Sequence, residues 1–353
     1  MKQVWYEWKK LISDKSVLLV VVLSMCIVLG YQWKNADSYA WQRNESYREY
    51  YEDALTTVEK MDAETARQWL QEESAWQSFL LSAAYGDSDM AFELLQMNAP
   101  EVDWNKRLKE NANEKTDIQQ TQQKYQAFTK LLERVNYAIS YAEFLESVKT
   151  QAQSMSKLSL FSDVDSFSQK NIQKTAEAYE KMSSVQPGLT YSDAADAWSD
   201  SALADVIVPG LLLFLGWAIF RKEKEAGLYQ LLGSTKRGHL EMALAKTIVY
   251  FFFAVLLAIL LYGSQIVLAI LMYGTGDMTL ALISIPSFRN CPYPISIQQY
   301  LILYLAVKVL AALFYASVIM AMLTRRWRFG IAASACVVVI CLEYLAYEQI
   351  NSV

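Results

Sequence analysis

The sequence predicts an all-α polytopic membrane protein with five transmembrane helices and an all-α extracytoplasmic domain between the first two. Three observations predict it. Long apolar runs alternate with one long polar block, although the average over 353 residues is a mean hydropathy of only +0.11. That block, 34–201, carries 17 Lys and Arg against 28 Asp and Glu, a net of −11, which leaves +6 for the rest of the chain. The surplus cations sit in short connections between apolar runs, where cytoplasmic loops of membrane proteins concentrate them.

Residues 1–15 read as an interfacial elbow helix. Val4, Trp5, Trp8, Leu11 and Ile12 fall mostly on one helical face, and Lys2, Lys9 and Lys10 on the other. Trp at headgroup level is the usual anchor for such a helix. Residues 16–33 form an apolar run of 18, long enough to span. No A-x-A-like cleavage pattern follows it, so it is expected to remain as the first span.

The block 34–201 has helical spacing and almost no Gly or Pro before Pro187-Gly188. Tyr47, Tyr51, Leu55 and Val58 make one stripe. Ile118, Thr121, Tyr125, Phe128, Leu132, Val135, Ile139, Ala142 and Leu145 make another, in alternating steps of three and four. A long helix of roughly 35 to 40 residues is expected there, with helical hairpins packed on it. Ser88-Asp89 is expected to cap a short helix ending before Pro100, and a further helix to run from Ser166 or Phe167 to Met182. Trp41, Trp69, Trp76 and Trp104 are expected in the core rather than around a ligand. Asn44-Glu45-Ser46 matches a glycosylation sequon, which matters only in a eukaryotic secretory pathway.

The remaining spans are expected at 202–220, 243–273, 299–323 and 329–347, with an outer loop at 274–298 and an outer tail at 348–353. Pro209-Gly210 predicts a kink in the second span. The third is too long for a ~30 Å hydrocarbon core, and Gly263-Ser264 is its expected weak point. Arg325, Arg326 and Arg328 mark 324–328 as a cytoplasmic turn, and only Arg289 is basic in 274–298. These charges place the N-terminus in the cytoplasm.

Asp205, Lys308 and Glu343 are ionisable residues inside expected spans. Each must face protein or water, because an ionised group at mid-membrane costs about 2.5–3.5 kcal/mol. Lys308 and Glu343 come out at depths that differ by less than one helical turn, so an ion pair between them is expected.

The connector 221–242 carries the most information. Leu228, Leu231 and Leu232 recur as on one face of a short helix, and Gly233-Ser234-Thr235 ends it. In order it reads Glu223, Glu225-Ala226-Gly227, Leu231-Leu232, Gly233-Ser234-Thr235 and Lys236-Arg237, with Lys246 in the following span. This order resembles the coupling loop of ABC-2 type permeases, the membrane subunits of one class of ABC transporters. The N-terminal elbow helix is similar to theirs, and permeases of Gram-positive bacteria also carry large outer domains between the first two spans. The resemblance implies a multi-pass bacterial plasma-membrane exporter subunit that dimerises. It also implies a separate ATP-binding subunit docking on Trp5, Trp8, Glu223, Glu225, Gly227, Leu231, Leu232, Lys236 and Arg237. That family usually has six spans. The five expected here imply a sixth in a longer chain or another polypeptide.

Other functions are disfavoured. Gly233 and Gly238 have P-loop spacing, but His239-Leu240 stands where Lys-Ser/Thr is required, so no ATPase site of its own is expected. His239 is the only histidine, which excludes a Ser-His-Asp or Cys-His site in the polar block. The four cysteines, Cys26, Cys291, Cys336 and Cys341, have no zinc spacing, and no metal or cofactor is expected. The acidic block is a poor match for nucleic acid. A non-transporting sensor or scaffold, whose acidic helical domain binds an extracellular ligand or partner, stays open as the alternative.

Overall fold

The computed structural model describes residues 2–36, 42–86, 92–93, 95–96, 102–110, 117–157, 167–194, 197, 202–221 and 238–324, with 331, 334, 337–339 and 341 beyond them. The helices within these ranges are α1 (Lys2–Ser13), α2 (Lys15–Ala36), α3 (Glu45–Val58), α4 (Ala63–Ala84), α5 (Trp104–Glu110), α6 (Ile118–Lys157), α7 (Phe167–Met182), α8 (Ala202–Gly216), α9 (Gly238–Tyr273) and α10 (Ile297–Thr324). No strand pairs with another among the described residues; Ala281 and Ser296 form one isolated bridge. The chain divides into two compact units. An apolar unit comprises Met1–Ala36, Trp198–Leu268 and Leu301–Val353, and a polar unit comprises Asp37–Ala197 and Ala269–Tyr300.

The apolar unit contains the membrane-length helices. Among the described residues, four segments are long and apolar enough to cross a bilayer: Lys15–Asn35, Leu203–Phe220, Leu240–Tyr273 and Ile297–Thr324. That is one fewer than expected. The fifth expected span, 329–347, lies largely outside the described residues, although 331, 334, 337–339 and 341 are helical. Leu18, Leu19, Val22 and Leu23 on α2, and Leu303, Val307, Leu310 and Phe314 on α10, are exposed. Water does not tolerate contiguous apolar faces of that size, whereas lipid does. The chain is therefore a membrane protein.

Small residues line the buried faces of two of these helices. Ala254 and Ala258 on α9, and Ala312 and Ala316 on α10, are each spaced by four and each fully buried. This is the small-xxx-small packing of helices in lipid. Gly216 belongs to the same design, since a Cβ there would meet Leu323 Cδ1 at 2.8 Å. Polar side chains add ties to backbone carbonyls. Gln32 Nε2 donates to Gln265 O at 3.0 Å, and Tyr250 Oη to Leu212 O at 3.0 Å.

The α8 helix runs through Pro209, and a π-helical turn follows it at Trp217–Arg221. One local expectation changes. The α9 helix does not break at Gly263-Ser264. It runs 36 residues as one helix, and Ala269–Tyr273 at its end belong to the polar unit. One glycine costs about 1 kcal/mol in a helix interior, too little to interrupt so long an apolar helix, and Ser264 spends its hydroxyl on Leu261 O at 2.9 Å.

In the polar unit the 40-residue α6 is the spine, and α3, α4 and α7 pack on it. The Asn44 and Asp62 side chains cap α3 and α4 by accepting from Ser46 N and Thr65 N. The sequon asparagine is thus a helix cap. Trp76 and Trp104 are core, with rings stacked at 6.1 Å and an interplanar angle of 2°, and Trp69 lies edge-on to Phe128. Trp41, Ser88-Asp89, Pro100 and Ser166 lie outside the described residues.

The segment 274–298, expected as an outer loop, is not separate from the polar block. It folds into the polar unit, where Ile283 is fully buried beside Tyr141 and Met182. Its entry turn depends on Gly274, at φ +79°, whose N–H caps α9 by bonding Ile270 O at 2.9 Å. A Cβ there would also meet Arg48 Nη2 at 2.9 Å. Gly274→Ala is expected to destabilise the unit by about 1–2 kcal/mol, read as a lower Tm of the detergent-solubilised chain.

Candidate functional site

Three polar clusters stand out, two in the apolar unit and one in the polar unit. The first fixes α1. Its face Val4, Trp8 and Leu11 packs against the apolar core, and Glu7 shares that face. Buried Glu7 Oε1 lies 3.8 Å from the buried ammonium of Lys246 on α9. The same ammonium donates to Ile219 O at 2.9 Å. Ile219 sits in the π-helical turn that follows α8. One lysine thus joins α1, α8 and α9 where the described part of the chain enters and leaves 222–237.

Trp8 is half-buried against Phe252 and Phe253, at centroid distances of 6.4 Å each. Trp5 is exposed, with its ring stacked on Trp8 at 5.6 Å. The geometry explains the split, because residues 4, 8 and 11 line one stripe and 5 and 12 the next. The other expected docking residues, Glu223, Glu225, Gly227, Leu231, Leu232, Lys236 and Arg237, lie outside the described residues.

The second cluster gives Lys308 a partner that was not expected. Its Nζ binds Asp205, at 2.7 Å from Oδ1 and 2.7 Å from Oδ2. Glu343 lies outside the described residues. Tyr262 Oη on α9 donates to Asp205 Oδ1 at 2.6 Å. The Lys308 ammonium stands over the rings of Tyr262 and Tyr304, at 5.2 and 5.4 Å. The pair therefore joins α8, α9 and α10. Depth counted along single helices carries no information on which helices are neighbours, so it did not point to Asp205.

The third cluster holds the polar unit together. Arg134, only 3% exposed on α6, donates to Asp193 Oδ1 at 2.6 Å, to Thr190 O at 3.2 Å and to Ser284 O at 3.4 Å. Asp193 also receives Lys130 Nζ at 2.9 Å and Gln42 Nε2 at 2.7 Å. Tyr137 Oη donates to Ile283 O and Tyr179 Oη to Asn290 O. Burial raises the phenol pKa values of Tyr47 and Tyr51 beside this network, and pushes Tyr141 up to about 12. These groups stay neutral at physiological pH.

Glu7, Tyr262, Tyr304, Arg134 and Asp193 were not singled out from sequence. Two left a signal. Glu7 is an acid among Val4, Trp8 and Leu11 at helical spacing, and Tyr304 lies four residues before Lys308, on the same face. No group of three His, Cys, Asp or Glu among the described residues is arranged to hold a metal ion. No family model, curated protein or solved structure matches the chain.

Proposed function

We propose that the chain is the membrane-spanning permease subunit of an ABC-2 type exporter of the bacterial plasma membrane, with its N-terminus in the cytoplasm, five spans and an extracytoplasmic polar unit. A separate ATP-binding subunit docks on 221–242 and on α1, and the permease subunits pair as a dimer. The observation that carries this reading is the junction of Glu7, Lys246 and the Ile219 carbonyl. A force applied to the 222–237 connector acts at the end of α8 and the start of α9. The buried lysine passes it to α1 without a flexible joint. A connector that only set topology would need no such buried tie, and burying an ion pair carries a desolvation cost. The order of acidic, Leu-Leu, small and basic residues in the connector supports the same reading.

The test is affinity purification of the solubilised chain from its native membrane, wild type against Glu223→Lys/Glu225→Lys. An ATP-binding subunit is expected with wild type and is expected to be lost with the variant. If none co-purifies with folded wild type, the permease reading fails, and the polar unit becomes the place to seek a binding function.

A further inference from the structure

We propose that the Asp205–Lys308 pair is a binding site for the headgroup of a zwitterionic amphiphile, one ammonium and one acidic group carried on an apolar tail. The ammonium takes the place of Lys308 on the Asp205 carboxylate, between the Tyr262 and Tyr304 rings. The acidic group takes the Lys308 ammonium. The proposal deepens the permease reading by naming a substrate class. It rests on that reading only in taking α8, α9 and α10 as membrane spans, not on the ATP-binding partner.

Accessibility is the first argument. The two buried ion-paired side chains Glu7 and Lys246 are sealed, at 8% and 6% exposure. Asp205 and Lys308 have closer geometry yet are open, at 35% and 20%. Closing an ion pair strengthens its attraction at a desolvation cost, and a closed pair admits no competing charge. Both side chains of this pair instead remain partly exposed.

Charge balance is the second. A plain cation that bound Asp205 would leave Lys308 without its carboxylate, and a plain anion on Lys308 would draw the ammonium away from Asp205. A stranded charge in a membrane span is costly. A ligand with both signs side by side opens the pair and leaves neither charge alone. Ring chemistry is the third argument. Tyr262 and Tyr304 already hold an ammonium by cation–π contact and accept another of the same kind. The tail has a surface as well. Val206 follows Asp205, Leu303 and Val307 adjoin Tyr304 and Lys308, and all three are more than half exposed.

The test uses the full chain in dodecyl maltoside and reads Tm with four probes. These are dihexanoyl phosphatidylethanolamine, dihexanoyl phosphatidylglycerol, dodecylammonium and tail-free glycerophosphoethanolamine. The first is expected to raise Tm by roughly 2–4 °C at saturation, and the other three by clearly less. Equal shifts with phosphatidylglycerol or dodecylammonium would overturn the charge-balance argument. An equal shift with glycerophosphoethanolamine would overturn the amphiphile assignment in favour of a free zwitterion. Asp205→Asn/Lys308→Gln keeps the shape without the charges and is expected to lose the increment. Retention of the increment would overturn the site. Should that variant not fold, the exchange Asp205→Lys/Lys308→Asp keeps both charges and is expected to keep the preference, and the wild-type comparison decides regardless. Failure here leaves co-purification of the ATP-binding subunit untouched, so the two readings fall separately.

Discussion

Arg134→Met is expected to cost the polar unit about 3–5 kcal/mol, a large part of the stability of an ordinary domain. The guanidinium is buried and serves three acceptors, Asp193, Thr190 O and Ser284 O. Methionine fills a similar volume but leaves two carbonyls and part of a carboxylate without donors. Limited proteolysis and thermal melting of the solubilised chain measure the loss. The double variant Arg134→Met/Asp193→Leu is expected to lose less than the sum of the single variants, by 1 kcal/mol or more. Lys130 would otherwise be stranded by the loss of Asp193, but it has Glu133 at 3.3 Å on its exposed side. An unchanged Tm in Arg134→Met would show that the clamp lies elsewhere.

Glu7→Leu is the second large effect, expected at about 3–5 kcal/mol. It leaves the Lys246 ammonium buried with a carbonyl but without its carboxylate. The double variant Glu7→Leu/Lys246→Met removes both charges and is expected to return to within about 1 kcal/mol of wild type, because apolar replacements of a buried pair are often neutral. Melting curves of the three variants in one detergent decide it. A double variant no better than Glu7→Leu would mean that the lysine's bond to Ile219 O, not the charge pair, holds the junction.

How much of this was legible in the sequence depends on the kind of signal. The long helix α6 begins at Ile118, where its stripe begins, and α7 ends at Met182 as expected. Apolar periodicity is a local property, and the helix inherits it directly. The interior of α6 was read less well. Its deeply buried positions include Ala127, Leu131, Arg134, Val135 and Tyr141, of which only Val135 was in the expected stripe. Reading by hydrophobicity passes over an arginine, yet Arg134 is among the least exposed residues of that helix. Its partners, near 190 and 284, are far away in the chain, and no local pattern encodes them. The pairing of Lys308 was missed for the same reason. The expense of an intramembrane charge is visible in one helix, but the identity of its counter-ion is a fact about two.

The incorporation of 269–300 into the same body as 37–197 has a consequence for how the chain can be cut and recombined. A contiguous insert between two spans could be deleted, or exchanged between homologues, at two splice points. This body has four, near residues 36, 197, 268 and 300, and Ile283 from the shorter piece fills a core built by the longer. A chimera that grafts only the long piece would carry an open hydrophobic socket, and one that grafts only the short piece would carry a plug with nothing to fill. The two pieces form a single unit of inheritance, written in the gene as two separate passages.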